Sequence, residues 1–268
     1  MILIYSQKIT ERLTYIVQHI FGERLQWEFQ ITSDYQEFID FRGKKLSYGI
    51  PFENCPYIES KNLLFETDIH YQNIDIEYVD STPICFLSSE NDLLGFDIFT
   101  ACFYFLTRYE EYLPTEKDAL NRFLPHNAWN VQHHCVDKAI VDRWILLFKE
   151  KMLSFYPSLP IVKHQFSFLP TYDIDIAFCY QNKGLFLTFV GIIKHLLTSK
   201  FHLIYERLLV LFRKKNDPYN SFDYIISLHK KYNLKSIFFF LVANNRNKYD
   251  KNISIKNIEF QNIIDRKS

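Results

Sequence analysis

The sequence predicts an α/β protein in two parts, an N-terminal α+β domain over residues 1–160 and a β/α domain over residues 161–268. Three observations predict it. The first half mixes strand-like and helix-like segments without regular alternation. Pro157-Ser-Leu-Pro160 then interrupts the pattern. Beyond it the order is strand, helices, buried strand, which is the order of a parallel β/α unit.

Taken in order, the apolar run Ile2–Tyr5 predicts a strand, and Ser6 is placed to cap a helix whose Ile9, Leu13, Ile16, Val17 and Ile20 share one face. Trp27, Phe29 and Ile31 alternate with polar residues, the period of a half-buried strand. Residues 33–95 yield only short strand-like pieces, Ile74–Val79 and Ile84–Leu87. Asp97 opens a helix with Phe99, Cys102, Phe103 and Leu106 inward and Arg108, Glu110 and Glu111 outward, ending before Pro114. A second long helix runs from Ile140 to Tyr156, burying Val141, Trp144, Ile145, Phe148, Met152 and Phe155.

In the second part, Phe166 and Phe168 mark a strand over 165–172 that leads into Asp173-Ile-Asp175. Helices follow at 185–197 and 201–213. Asp217-Pro218 starts another, with Asp as N-cap and Pro at the first helical position; it carries Phe222, Ile225, Ile226 and His229 and reaches Tyr232. Ser236–Ala243 (SIFFFLVA) reads as a strand buried on both faces.

Composition narrows the function. Basic and acidic residues number 31 each, so the net charge is zero and gives no electrostatic reason to expect nucleic acid as a partner. Aromatics are abundant (26 Phe, 18 Tyr, 3 Trp), an excess that a compositional bias explains and that carries no functional weight. The five cysteines, Cys55, Cys85, Cys102, Cys135 and Cys179, are scattered without a Cys-x-x-Cys pair, against a disulfide framework or zinc knot. Residues 1–5 lack the features of a signal peptide, and the longest apolar run, Gly184 to Ile193, stops at Lys194. The expectation is a reduced, soluble, cytoplasmic protein.

Asp173 and Asp175 are the most informative pair. They end a parallel strand, where β/α folds place active sites. Two such carboxylates can divide labour, one holding a cation and the other taking a proton from water. They also suit a plain turn in which one carboxylate caps the next helix. Glycosyltransferases use Asp-x-Asp to hold a nucleotide sugar through a cation, and this reading stays as an alternative, beside a non-catalytic binding or scaffold protein. Haloacid-dehalogenase phosphatases place Thr where this chain has Ala177. No Gly-x-Ser-x-Gly elbow, Gly-x-Gly-x-x-Gly or Walker sequence occurs. In the first domain, Arg108, Glu110, Glu111, Arg122 and Asp142 line a cleft or a charged helix face, and His126, His133 and His134 read as a polar loop.

From residue 165 onward the chain resembles the polysaccharide deacetylases with the NodB homology fold, in a Bacteroidetes-type group. The matching elements are Leu169-Pro-Thr-Tyr-Asp173-Ile-Asp175, Asp217-Pro-Tyr-Asn-Ser-Phe-Asp223-Tyr, Ile237-Phe-Phe-Phe-Leu241 and Tyr249-Asp250-Lys-Asn-Ile-Ser254. The first 160 residues resemble the uncharacterised domain that precedes the deacetylase there, through Arg108-Tyr-Glu-Glu-Tyr112, Asn121-Arg-Phe123 and Val141-Asp-Arg-Trp144. The resemblance implies the first β/α units of a distorted (β/α) barrel, here incomplete. It implies hydrolysis of N-acetyl or O-acetyl groups on a carbohydrate, with Asp173 as general base and Asp175 as ligand to Zn²⁺ or another divalent cation. Ile174 separates two acids that are adjacent in the family motif.

The family's His-x-x-x-His motif falls after a helix to which 257–264 corresponds. The chain stops at Ser268 with no His after His229, so the expectation is a truncated deacetylase, weak in zinc and inactive alone. His164, His195, His202 and His229 are the imidazoles to test otherwise.

Segment 183–215 carries seven basic residues against one acid, Glu206, interleaved with apolar runs. It can lie on an anionic membrane surface, or pack as an apolar helical hairpin against the barrel or the first domain.

Overall fold

The computed structural model describes residues 1–89, 91–163, 165–242 and 252–265. His164, Ala243, Tyr249 and Asp250 therefore lie outside the described residues. The chain divides into two compact units, Met1–His164 and Gln165–Ser268, four residues past the proline pair of the sequence boundary.

The first unit is organised by β1 (Ile2–Ser6), which pairs in parallel with β2 (Phe29–Thr32) on one side and β3 (Lys44–Tyr48) on the other. A two-residue β4 (Tyr57–Ile58) extends β3, also in parallel, giving the order β2-β1-β3-β4. The predicted α+β arrangement is thereby corrected. This sheet is wholly parallel and interleaved with helices, and the only antiparallel ladder among the described residues is the separate hairpin of β5 (Ile76–Val79) and β6 (Thr82–Cys85). Parallel strands need covered faces, and β1 is buried at every position. Ile2 and Ile4 join the main core, whereas Leu3 and Tyr5 pack on the opposite face with Phe38.

Helix α1 (Glu11–Val17) puts Leu13, Ile16 and Val17 into that core and continues as a π-helical turn, Gln18–Arg24, that adds Ile20 and Phe21. Its cap is Thr10, whose side chain accepts from the Leu13 N–H, and not Ser6, whose hydroxyl donates to the Lys8 carbonyl. Ile9 is accordingly exposed. Helix α2 (Tyr35–Asp40), capped by Asp34, covers the second face with Phe38. Helix α3 (Ile98–Leu106) starts at Asp97 as expected. It ends two residues before Arg108, which is left-handed (φ 52°) and leads into a 3₁₀ turn, so Arg108, Glu110 and Glu111 do not continue its outer face. A single turn, α4 (Trp129–Gln132), occupies the predicted polar loop. Helix α5 (Ile140–Phe155) buries Trp144, Ile145, Phe148 and Met152 but leaves Phe155 exposed at its end.

The second unit holds one ladder, β7 (Thr171–Ile174) parallel to β8 (Ile237–Phe240), with Asp173 in register with Phe239. The strand predicted over 165–172 is displaced: 165–170 have no assigned secondary structure, although the Pro170 carbonyl accepts from the Ile237 N–H at 3.0 Å, and β7 takes in Asp173 itself. Between the strands run α6 (Gly184–Leu197), α7 (Phe201–Leu211) and α8 (Phe222–Tyr232); α9 (Ile258–Asp265) follows. β8 is not buried on both faces. Ile237 and Phe239, which share one face, are 42 and 55% exposed, and the other face, with Phe238 and Phe240, is half-buried. The core of this unit is small: Ala177, Phe178, Ile253 and Phe260. The architecture is mixed α/β.

Candidate functional site

The sequence-derived pair sits where β7 ends. Burial alternates along the strand, with Tyr172 and Ile174 half-buried and Thr171, Asp173 and Asp175 exposed, so both carboxylates project to the open side of a two-residue repeat. Asp175 is the first residue beyond the ladder. Neither carboxylate has a hydrogen-bond or ion-pair partner among the described residues.

What the sequence did not announce is how the turn beyond them is held. The side chain of Asn252, 4% exposed, accepts from the Ala177 and Ile253 N–H groups at 3.1 and 2.9 Å. Its amide donates to the Leu241 carbonyl at 3.0 Å and the Ile174 carbonyl at 3.5 Å. One amide thus joins the ends of β7 and β8 to the turn. Asp217, 2% exposed, holds the next residues: Oδ1 accepts from Cys179 N–H and Oδ2 from Tyr180 and Gln181 N–H, at 2.8–2.9 Å. Oδ1 also accepts from the Tyr219 N–H at 3.0 Å. Asp217 is therefore not the cap of α8, which begins at Phe222 after Ser221. Backbone donors in the 179–181 turn take its oxygens instead.

Tyr180 extends the clasp to α7, its hydroxyl donating to Glu206 at 3.3 Å and its ring under the Arg207 guanidinium, 4.8 Å from centroid. Burial, ahead of the neighbouring Cys179 and Glu206, pushes the Tyr180 phenol up to about 12. A cavity of about 100 Å³ lies beside this turn, lined by Phe178, Gln181, Asp223 and Glu259 among others, and neither Asp173 nor Asp175 borders it.

The histidines are placed differently. His229 is buried, with Nε2 2.8 Å from the Tyr172 hydroxyl and Nδ1 3.0 Å from the Ser236 hydroxyl. Both ring nitrogens are thus engaged at the end of β8 away from Asp175. His195 and His202 belong to α6 and α7. Among the described residues no three His, Cys, Asp or Glu side chains converge as a metal-binding group. Two carboxylates supply oxygen donors alone, whereas zinc hydrolases hold the ion with three protein ligands that include imidazole; the described residues do not make that set.

In the first unit, of the charged residues singled out in the sequence, Glu110 lines a cleft of about 340 Å³ with Tyr71, Tyr104, Trp129 and His133. Burial raises the Glu110 carboxyl, although it accepts from the Trp129 N–H at 2.9 Å. Arg108 pairs with Glu111, Arg122 with Asp118 and Arg24 with Asp142. The His133 ring packs against Trp129, tilted by 49° with centroids 4.5 Å apart. The five cysteines are free thiols, and no helix among the described residues is long and apolar enough to cross a membrane.

Compared with known proteins, residues 2–157 match the model of a family described as "Family of unknown function (DUF7033)". No curated protein matches the chain, and no solved structure does.

Proposed function

The chain belongs to this family of unknown function (DUF7033), and from that premise, which assigns no activity, we propose that chemistry resides in the second unit as part of a metal-dependent carbohydrate deacetylase of the NodB type. The unit would be the opening of its distorted barrel. The observation that carries the reading is the pair Asp173 and Asp175, exposed at the end of a parallel strand and without a partner among the described residues, on a turn clasped by Asn252 and Asp217. Exposed carboxylates at the end of a parallel strand suit work done on something bound. Rigid support of the turn is what a positioned base requires.

In this reading Asp173 accepts the proton of the water that attacks an acetyl carbonyl on the sugar. Asp175 would offer one carboxylate to a divalent cation, Zn²⁺ in the family the chain resembles; the described residues supply no imidazole to join it. The free thiols favour a reducing, cytoplasmic setting.

The test is a titration of the chain with Mn²⁺, followed by paramagnetic broadening of backbone amide signals, beside acetate release from N-acetylated chito-oligosaccharides with Zn²⁺ or Co²⁺. Broadening centred on residues 173–176 and lost in Asp175→Asn supports the assignment. Broadening elsewhere removes it, and so does nucleotide-sugar binding with Mn²⁺ that is lost in Asp175→Ala. Zinc should bind no more tightly than to an ordinary exposed carboxylate pair, with negligible acetate release.

A further inference from the structure

Helix α6 is built inside out. A surface helix ordinarily turns its apolar stripe inward and its polar face to water. Here the face packed on α7 is Thr188, Gly191 and His195, at helical spacing, and what fills it is Arg207 of α7. Arg207 is 7% exposed; its Nη1 donates to the Thr188 carbonyl, and a Cβ at Gly191 would stand 2.5 Å from its Nη2. The Nδ1 of His195 is buried there without a hydrogen-bond partner among the described residues. Apart from the half-buried Ile192, the apolar residues of α6 are exposed, Leu185, Phe186 and Leu197 by 91, 78 and 80%, and Phe201 and Phe212 of the α7 segment are 61 and 72% exposed. No side chain of α6 is buried. So wide an apolar face marks a surface that meets something.

Charge says what it meets. Glu206 is the single acid in residues 183–215, and Lys215 is paired with it. Lys194, Lys200, Arg213 and Lys214 are exposed at the ends of the two helices and have no acidic partner among the described residues. A second copy seated on this face by a two-fold axis would bring the same cations together. An anionic lipid surface would instead offer phosphates around an apolar interior. With 14 residues α6 spans about 21 Å, short of the roughly 30 Å hydrocarbon layer, so it can lie in the interface but not cross it.

We propose that the α6–α7 hairpin is a membrane-interface anchor, its aromatic and leucine face set into the headgroup boundary of an anionic bilayer and Lys194, Lys200, Arg213 and Lys214 against lipid phosphates. The inference is independent of the deacetylase reading.

The full chain is sedimented with vesicles of phosphatidylcholine alone or mixed with phosphatidylglycerol, at low and high salt. Binding should favour the anionic vesicles and weaken with salt. Replacing Lys194, Lys200, Arg213 and Lys214 by Gln should weaken it about fivefold per charge, and Phe186→Ser with Phe189→Ser about tenfold or more. These positions are exposed, so circular dichroism should be unchanged. Should a variant misfold, the salt dependence of the unaltered chain decides. Absent binding, or equal binding to neutral and anionic vesicles, overturns the proposal. So does a concentration-dependent dimer dispersed by the same Phe substitutions, because a second copy would then cover the face.

Discussion

Replacing Asp217 by Asn tests whether one carboxylate organises the turn that follows β7. The side chain is 2% exposed and receives four backbone N–H groups, two on each oxygen. Asn keeps one oxygen, enough for two of the four donors. Its NH₂ then faces two N–H groups that it cannot accept. A buried donor left without an acceptor costs about 1–3 kcal/mol, so Asp217→Asn should destabilise the second unit by roughly 2–4 kcal/mol. Asp217→Ala, which orphans all four, should cost about 3–5 kcal/mol after water recovers part of the loss. A domain is stable by only about 5–15 kcal/mol, and this unit has a small core, so either change should consume much of its margin. Tryptophan fluorescence would miss the event, since Trp27, Trp129 and Trp144 all belong to the first unit. Hydrogen exchange followed by mass spectrometry over residues 171–182 and β8 reads it directly. Wild-type protection of that segment in Asp217→Asn would refute the argument, because the oxygens would then not be what holds the turn.

Three further outcomes follow from the same reasoning. Asp173→Asn and Asp175→Asn should change the stability of the chain by less than about 0.5 kcal/mol in urea unfolding, since both side chains are exposed and neither is paired among the described residues. Burial pushes the Asp92 carboxyl from 3.8 up to about 6, against three backbone N–H donors; a raised folded value means that its stabilisation is full below pH 3.8 and is lost as the pH rises through 6, about 3 kcal/mol in all. Tryptophan-monitored urea unfolding of the first unit between pH 4 and 8 should show that fall, and Asp92→Asn should flatten it. Trp144 is fully buried and its indole N–H donates to the Pro83 carbonyl at 2.9 Å, so Trp144→Ala should cost about 3–5 kcal/mol by circular dichroism.

The sequence discloses the elements whose pattern is carried by their own residues. Ile2–Tyr5, the 140–156 helix and the paired helices of 184–211 are legible because apolar spacing within each segment decides them. β3 is not, because Lys44-Lys-Leu-Ser-Tyr48 has no strand period of its own and is buried by its register with β1. Caps are misplaced at Ser6 and Asp217 for a related reason. Several residues can cap a helix, and the choice falls to whichever backbone donors the tertiary structure leaves unsatisfied. The Asp173–Asp175 pair is visible because its spacing is local. Its supports are not, since Asn252 and Asp217 act on residues 75 and 38 positions away.

The β7–β8 ladder has a kinetic consequence. Four residue pairs join segments separated by the 62 residues 175–236, and closing such a loop costs about 3.7 kcal/mol beyond the constant term before any pairing is gained. The helices between can form on their own contacts, but the ladder cannot, so it should be the last event in the ordering of this unit. The Asp175 turn exists only after that closure. A nascent or partly opened chain would therefore offer no arranged carboxylates, whatever helix it had already formed.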